Sequence, residues 1–167
     1  MELYTDKKDI SFLESEFLTY LLGKYYLNEN MIQVEDKHCY FMASNFIVLL
    51  DTESQEKVSV ESKNFDSCKE IYTALKDGKK VYEISLSLKT DTATFDITIR
   101  TDPLRVVKVG APKSLGEDIF DKVIERCVYL NFIYKSFDKL LSNFAEERVT
   151  DSWYIFIRKF RDFVRNI

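Results

Sequence analysis

Between residues 81 and 100 the sequence alternates with a period of two on both sides of a short polar turn. Tyr82, Ile84, Leu86 and Leu88 interleave with Glu83, Ser85, Ser87 and Lys89. After Thr90-Asp91-Thr92, Phe95, Ile97 and Ile99 interleave with Thr94, Asp96, Thr98 and Arg100. Successive side chains of a strand point to opposite faces, so this pattern predicts an antiparallel hairpin with one apolar and one polar face. An apolar sheet face has to be covered by another layer. The remaining segments are read as the strands that extend this sheet and the helices that cover it.

The segment before the hairpin ends a helix. Phe65, Cys68, Tyr72 and Leu75 repeat at helical spacing, predicting a helix over residues 66–76 that stops at Asp77-Gly78. Gly78 suits the left-handed position just past a helix, and Lys76 and Lys79 sit at the negative end of the helix dipole. Further upstream, residues 1–8 are polar and read as frayed, with Asp9 as the N-cap of a helix carrying Phe12, Leu13, Phe17, Leu21 and Tyr25. Gly23 and Asn28 mark where that pattern decays. Residues 31–35, 38–42, 46–51 and 57–62 are short apolar or alternating runs with turn-forming residues between them, which predicts an antiparallel meander. The continuously apolar third run is the candidate central strand.

Past the hairpin, Asp102-Pro103 breaks the strand pattern, residues 104–109 suggest another strand, and Gly110-Ala111-Pro112 closes the β region. Ser114-Leu115-Gly116-Glu117 has the spacing of a capping box. Beyond it Phe120, Val123, Cys127, Leu130, Tyr134, Phe137, Leu141 and Phe144 hold an unbroken 3–4 alternation, the mark of one long helix. Ile124, Ile133 and Leu140 widen this stripe, which favours burial on the sheet as well as against a helix. A last helix begins near Thr150-Asp151-Ser152 and repeats the pattern in Trp153, Phe156 or Ile157, Phe160, Phe163 or Val164, and Ile167. Heptad spacing on both helices predicts that they pack as an αα-hairpin or across a dimer. The fold class is therefore α+β: an antiparallel sheet of meander plus hairpin, covered by helices. The 167 residues form a single domain, with a mixed part over residues 9–113 and a helical pair over 114–167.

Several chemistries lack their residues. One histidine, His38, and three scattered cysteines without a Cys-x-x-Cys pair predict no metal site. Four glycines leave no phosphate-cradling loop, and no nucleophile elbow is present. The clusters Glu117-Asp118-Asp121 and Glu146-Glu147 read as helix-end and surface carboxylates. No catalytic residue and no cofactor is predicted, and the chain is read as non-enzymatic. Cys39, Cys68 and Cys127 are read as small buried hydrophobes in a reducing cytoplasm, and no apolar run is long enough for a membrane span.

Charge is the one constellation that points outward. The net charge is −4, yet residues 63–113 hold ten Lys or Arg against seven acids, and residues 148–167 hold five against two. Arg158, Arg161 and Arg165 share one face of the last helix, with Asp162 placed to pair with them. Lys76, Lys79 and Lys80 mark the glycine corner, joined by Arg100, Arg105 and Lys108 from the hairpin region. A solvated, salt-bridged surface and a phosphate-contacting surface are both compatible with these spacings. The second requires that the two groups converge into one electropositive strip.

The order of features is also familiar. Residues 12–22, with Glu16-Phe17-Leu18-Thr19-Tyr20-Leu21, resemble the Glu-Phe-Leu-Thr-Trp-Leu opening of the shorter RdgC-like recombination-associated proteins. Ala74-Leu75-Lys76-Asp77-Gly78-Lys79-Lys80-Val81 is similar to that family's Gly-Lys-Lys-Val segment, and Ala111-Pro112-Lys113 to its proline-lysine segment. Glu125-Arg126 and Phe144-Ala145-Glu146-Glu147-Arg148 with Trp153 resemble its closing helices. The resemblance implies a cytoplasmic, non-enzymatic bacterial protein that binds duplex DNA without sequence preference and restrains recombinase loading. It also implies a dimeric ring with a basic lining for full-length members. This chain is shorter than those and net acidic, so the resemblance is carried only to Lys79 and Lys80. Two functions follow: a DNA-associated accessory protein, or a protein-interaction module whose long helices form a homodimer or dock another protein.

Overall fold

The computed structural model describes residues 7–167, with side chains from Leu13 onward. The chain runs α1 (Lys7–Tyr26), β1 (Met31–Val34), β2 (Lys37–Leu50), β3 (Lys57–Ser62), α2 (Lys69–Lys76), β4 (Lys80–Lys89), β5 (Thr94–Arg100), β6 (Arg105–Gly110), α3 (Ile119–Arg148) and α4 (Asp151–Arg165). All strand pairs are antiparallel, in the order β1-β2-β4-β5-β6, with β3 sharing β2's outer edge with β1. The expected α+β class is what the chain forms. Helix α1 is already established at Lys7, so Asp9 lies inside it instead of capping it, and residues 7 and 8 are helical, not frayed. Residues 1–6 and the side chain of Phe12 lie outside the described residues.

Two bulges separate the strands from their sequence-based expectation. Ala43-Ser44-Asn45 does not end a strand: β2 continues through it, four of its residues spanning two of β4 between Ala43 and Ile47. Asn45 takes the left-handed conformation (φ 61°), which bends β2 so that Cys39 and Phe41 on one side of the bulge and Ile47 and Leu49 on the other stay in the core. The second bulge falls at Tyr82, between the pairs Val48–Glu83 and Leu49–Val81. Val81, not Tyr82, therefore joins Ile84, Leu86 and Leu88 in the core, and the Tyr82 ring takes Lys57 Nζ at 4.6 Å instead. The return strand keeps its expected face, with Phe95, Ile97 and Ile99 buried.

Helix α2 is shorter than its apolar repeat, starting at Lys69, and its end is fixed by a Schellman pair. The Gly78 N–H donates to Leu75 O (3.1 Å) and the Lys79 N–H to Ala74 O (3.0 Å), with Gly78 at φ 83°. Helix α3 starts later than the capping-box spacing implies. Its N-cap is Asp118, whose Oδ1 accepts from the Asp121 N–H at 2.9 Å, while the Ser114 hydroxyl donates to Glu125.

The helices cover the apolar sheet face in two tiers. Phe17, Leu18, Leu21 and Leu22 of α1 pack into the sheet-side core. The opposite side of α1 receives α4: Tyr20 meets Phe156 at 5.1 Å and Trp153 at 6.3 Å between ring centroids. Gly23 allows this approach. A Cβ there would stand 2.7 Å from Phe156 Cζ and 3.2 Å from Phe160 Cδ2. Gly23 is thus a packing position inside a continuing helix, not the place where the helix decays.

Gly23→Ala tests that role. Alanine gains up to about 1 kcal/mol of helix propensity, while overfilling a packed site costs roughly 1–3 kcal/mol. Phe156 is itself 3% exposed and held among rings, so it has little room to withdraw. The expected result in denaturant unfolding is a net loss of about 1–2 kcal/mol; a gain in stability would mean that α4 does not seat on Gly23.

Candidate interaction surface

The basic residues singled out in the sequence fall in separate places. Lys79 is buried, and its Nζ meets Glu56 Oε2 at 2.9 Å; this bond raises the ammonium pKa. Lys80 is half-buried, and desolvation lowers its pKa. Arg100 Nε donates to Glu83 Oε2 at 2.6 Å, which raises the pKa of the guanidinium. Arg105 stands opposite Arg100, and Lys108 opposite Thr98, both exposed on the outer strand β6. Arg158, Arg161 and Arg165 are exposed on α4, which α1 separates from the sheet. Of the corner group, Lys76 reaches the C-terminal end of α4, its Nζ donating to Ile167 O at 3.3 Å, whereas Lys79 and Arg100 are taken up by Glu56 and Glu83.

Around Arg100 the uncovered sheet face is mostly polar. Ser85 and Thr98 share a 2.8 Å hydroxyl contact and Ser87 donates to Asp96 at 2.6 Å, beside a shallow cleft of about 630 Å³ that reaches Lys108. His38 is an exposed residue at the start of β2. Among the described residues, no group of His, Cys, Asp or Glu is arranged to hold a metal, and no helix is long and apolar enough to cross a membrane.

A partly buried ionic cluster was not legible in the sequence. Lys24 Nζ lies 2.8 Å from Glu147 Oε1 and 3.0 Å from Glu29 Oε2; Tyr20 OH donates to Glu147 Oε2 at 2.7 Å, and Lys159 Nζ donates to Glu29 Oε1 at 2.7 Å. The bonds from Lys159 and Lys24 lower the Glu29 pKa, while burial and the Glu147 bond raise that of Tyr20. Every charge in the cluster has an opposite partner. Its chemistry is that of a clip between α1, α3, α4 and the loop before β1, lining one side of a cleft of about 390 Å³.

The largest departure from expectation is α3. Its sheet-facing residues are Tyr129, Phe132, Ile133, Ser136 and Leu140, with Phe95 5.4 Å from Tyr129 and 5.2 Å from Phe132. The 3–4 stripe lies more than a third of a turn away, about 140° at 3.6 residues per turn. Phe120 is 72% exposed, Tyr134 61% and Val123 54%, and Cys127 and Leu130 are exposed too. Ile119, at 81%, extends the stripe to the helix start. Leu130 borders a hollow beside Ala111 and Pro112, and the stripe is packed against its own chain at Phe137, Leu141 and Phe144. There it borders an apolar hollow of about 400 Å³ lined by Leu13, Phe17, Leu104, Leu141, Phe144 and Val149. Of the residues expected to widen the stripe, Ile133 and Leu140 are buried by the sheet, whereas Ile124 is exposed. Cys127 likewise departs from the expected burial; Cys39 keeps it, its thiol pKa pushed up to about 11 by desolvation.

The base of this helical arm is held by Glu125. Its carboxylate accepts from the Ser114 hydroxyl, from Tyr129 OH at 2.8 Å and from the Leu115 N–H at 3.0 Å. No protein-family model matches the chain, and no curated protein matches it.

The Glu125 contacts hold its carboxyl at a pKa of about 2. A depressed carboxylate contributes order above its unfolded pKa and loses it as pH falls through the folded value. Loop amides at Leu115 and Gly116 should stay protected from hydrogen exchange down to about pH 3, and Glu125→Gln should remove that protection at neutral pH. An NMR titration giving Glu125 an ordinary value near 4.3 would refute the assignment.

Proposed function

We propose that this chain is a non-enzymatic protein-interaction module that works through the exposed seam of α3. One observation carries the reading: Phe120, Val123, Cys127, Leu130 and Tyr134 keep heptad spacing on a face their own chain leaves open. Scattered apolar residues on a surface need no explanation, but a contiguous row at coiled-coil spacing marks a helix-binding face. The native thiol reports on it. In intact cells Cys127 should react with a permeant maleimide at least tenfold more slowly than in the unfolded chain. The pair Val123→Glu and Leu130→Glu should abolish that protection. Free-thiol reactivity of Cys127 in cells, unchanged by the pair, would reject the reading.

A second reading, sequence-independent association with duplex DNA, is supported by α4 alone. Arg158, Arg161 and Arg165 are exposed on one helix face, and none forms an ion pair among the described residues. The resemblance to RdgC-like proteins points the same way, although Lys79, one of the two residues it singles out, is occupied by Glu56. Phosphate contacts give binding that falls steeply with salt. On this reading, a duplex gel shift at low salt disappears when the three arginines are replaced by glutamine. A shift that survives the triple replacement, or none at the lowest salt, rejects it.

A further inference from the structure

We infer that the seam of α3 is covered by the same seam of a second copy, the two helices running antiparallel about a two-fold axis between Cys127 and Leu130. The inference rests on the interaction reading above and names its partner.

Size is the first argument. The exposed parts of Ile119, Phe120, Val123, Leu130 and Tyr134 amount to roughly 600 Å² per chain, at the upper limit of the largest patch on an ordinary monomer. Two copies together would bury about 1,200 Å², the lower bound of a specific, stable interface. Shape is the second. The seam is most prominent at its N-terminal end, where Ile119 and Phe120 project, and is hollowed at the other, beside Leu141. Antiparallel coiled helices face their two heptad positions against each other. That register sets Phe120 against the partner copy's Phe137, one turn short of the hollow at Leu141, Val123 against its Tyr134 and Cys127 against its Leu130, the self-complementary pairing a two-fold interface requires.

Charge favours one direction. The start of α3 carries exposed Glu117, Asp118 and Asp121 against Lys122 and Arg126, and the opposite end of the seam carries exposed Lys135 and Lys139 against Asp138, a one-charge excess of acid at one end and of base at the other. Lys135 already reaches Glu35 of its own chain, and Lys139 is on the solvent side. Parallel helices would stack the acids of one copy on those of the other. Antiparallel helices bring them to the lysines and oppose the helix dipoles.

The test uses the full chain. Sedimentation equilibrium should give twice the 19.7 kDa chain mass at micromolar concentration. Val123→Glu with Leu130→Glu should weaken association at least 100-fold without changing the circular dichroism spectrum, because both side chains are exposed in the single chain. Val107→Glu, on the exposed strand β6, should change nothing. Nitroxide pairs then read the direction in chains with Cys68→Ser. Labels on Cys127 should lie within about 20 Å of each other across helices packed 8–10 Å apart. Labels on Glu117→Cys with Cys127→Ser should lie about 35 Å apart at 1.5 Å per residue. Glu117 labels closer than about 20 Å would mean parallel helices and overturn the proposal. A monomer at 100 µM overturns it as well; if Cys127 is nevertheless protected in cells, the interaction module stands and its partner is a different protein.

Discussion

Everything in this fold is arranged around one helix, α1, that packs against the sheet, α3 and α4 at once. Helix α1 gives Leu18, Leu21 and Leu22 to the sheet, Phe17 to α3 through Phe137 and Phe144, and Tyr20 with the bare backbone of Gly23 to α4. Among its described residues from Phe17 onward the helix keeps little solvent-facing surface, so its sequence shows little amphipathic contrast and its neighbours supply its polar contacts. Lys24 shows how. Its ammonium lies 5.3 Å from the Tyr20 ring centroid and 5.4 Å from that of Phe156, and is held by Glu147 and Glu29. Breaking one side of such a clip would strand a partly buried charge, a larger penalty than losing a surface ion pair.

The second tier follows from the first. Because α4 is seated on α1 and not on the sheet, the α3–α4 connection is only Val149 and Thr150, and the chain turns back at once. Phe144 and Trp153 meet across that turn at 5.7 Å, and Trp153 also carries Arg148 at 4.9 Å from its ring. The last turns of α3 are therefore pinned between α1 and α4, whereas its first half is braced only by Glu125 and by the Phe95 contacts. An arm fixed at one end and apolar along one side is the geometric result.

How much of this was written in the sequence depends on whether the signal was local. Period-two alternation identified β4 and β5 because both strands face core on one side and polar groups on the other. It misassigned Tyr82 because one inserted residue exchanges the faces of what precedes it, leaving Val81 inside. Ala43-Ser44-Asn45 carried turn chemistry and was used for a bulge, since β4 runs alongside to hold the strand together. The Gly78 corner was legible, but the fate of Lys79 was not: its partner Glu56 is 23 residues away and comes near only through the sheet. The ionic clip was invisible for the same reason, Tyr20 and Glu147 being 127 residues apart. Among the proposed phosphate contacts, only the α4 arginines rested on a within-helix spacing, and they are the group that remains together.

Helix α3 shows why a heptad pattern by itself does not locate a core. Its sequence holds two apolar rows, one through Phe132, Ile133 and Leu140 and another through Phe120, Val123, Cys127, Leu130 and Tyr134. Read together they look like one broad stripe laid on a sheet. The structure divides them: the short row, interrupted by Ser136, meets β1 and Phe95, and the longer, more regular row points elsewhere. A sheet accepts irregular side-chain spacing because its surface is a mosaic of strands, whereas a facing helix demands the repeat. The row with the stricter repeat is thus the one a sheet has least reason to select, and it is the row this chain leaves uncovered. Its spacing is better explained by a second helix than by any layer the chain itself provides.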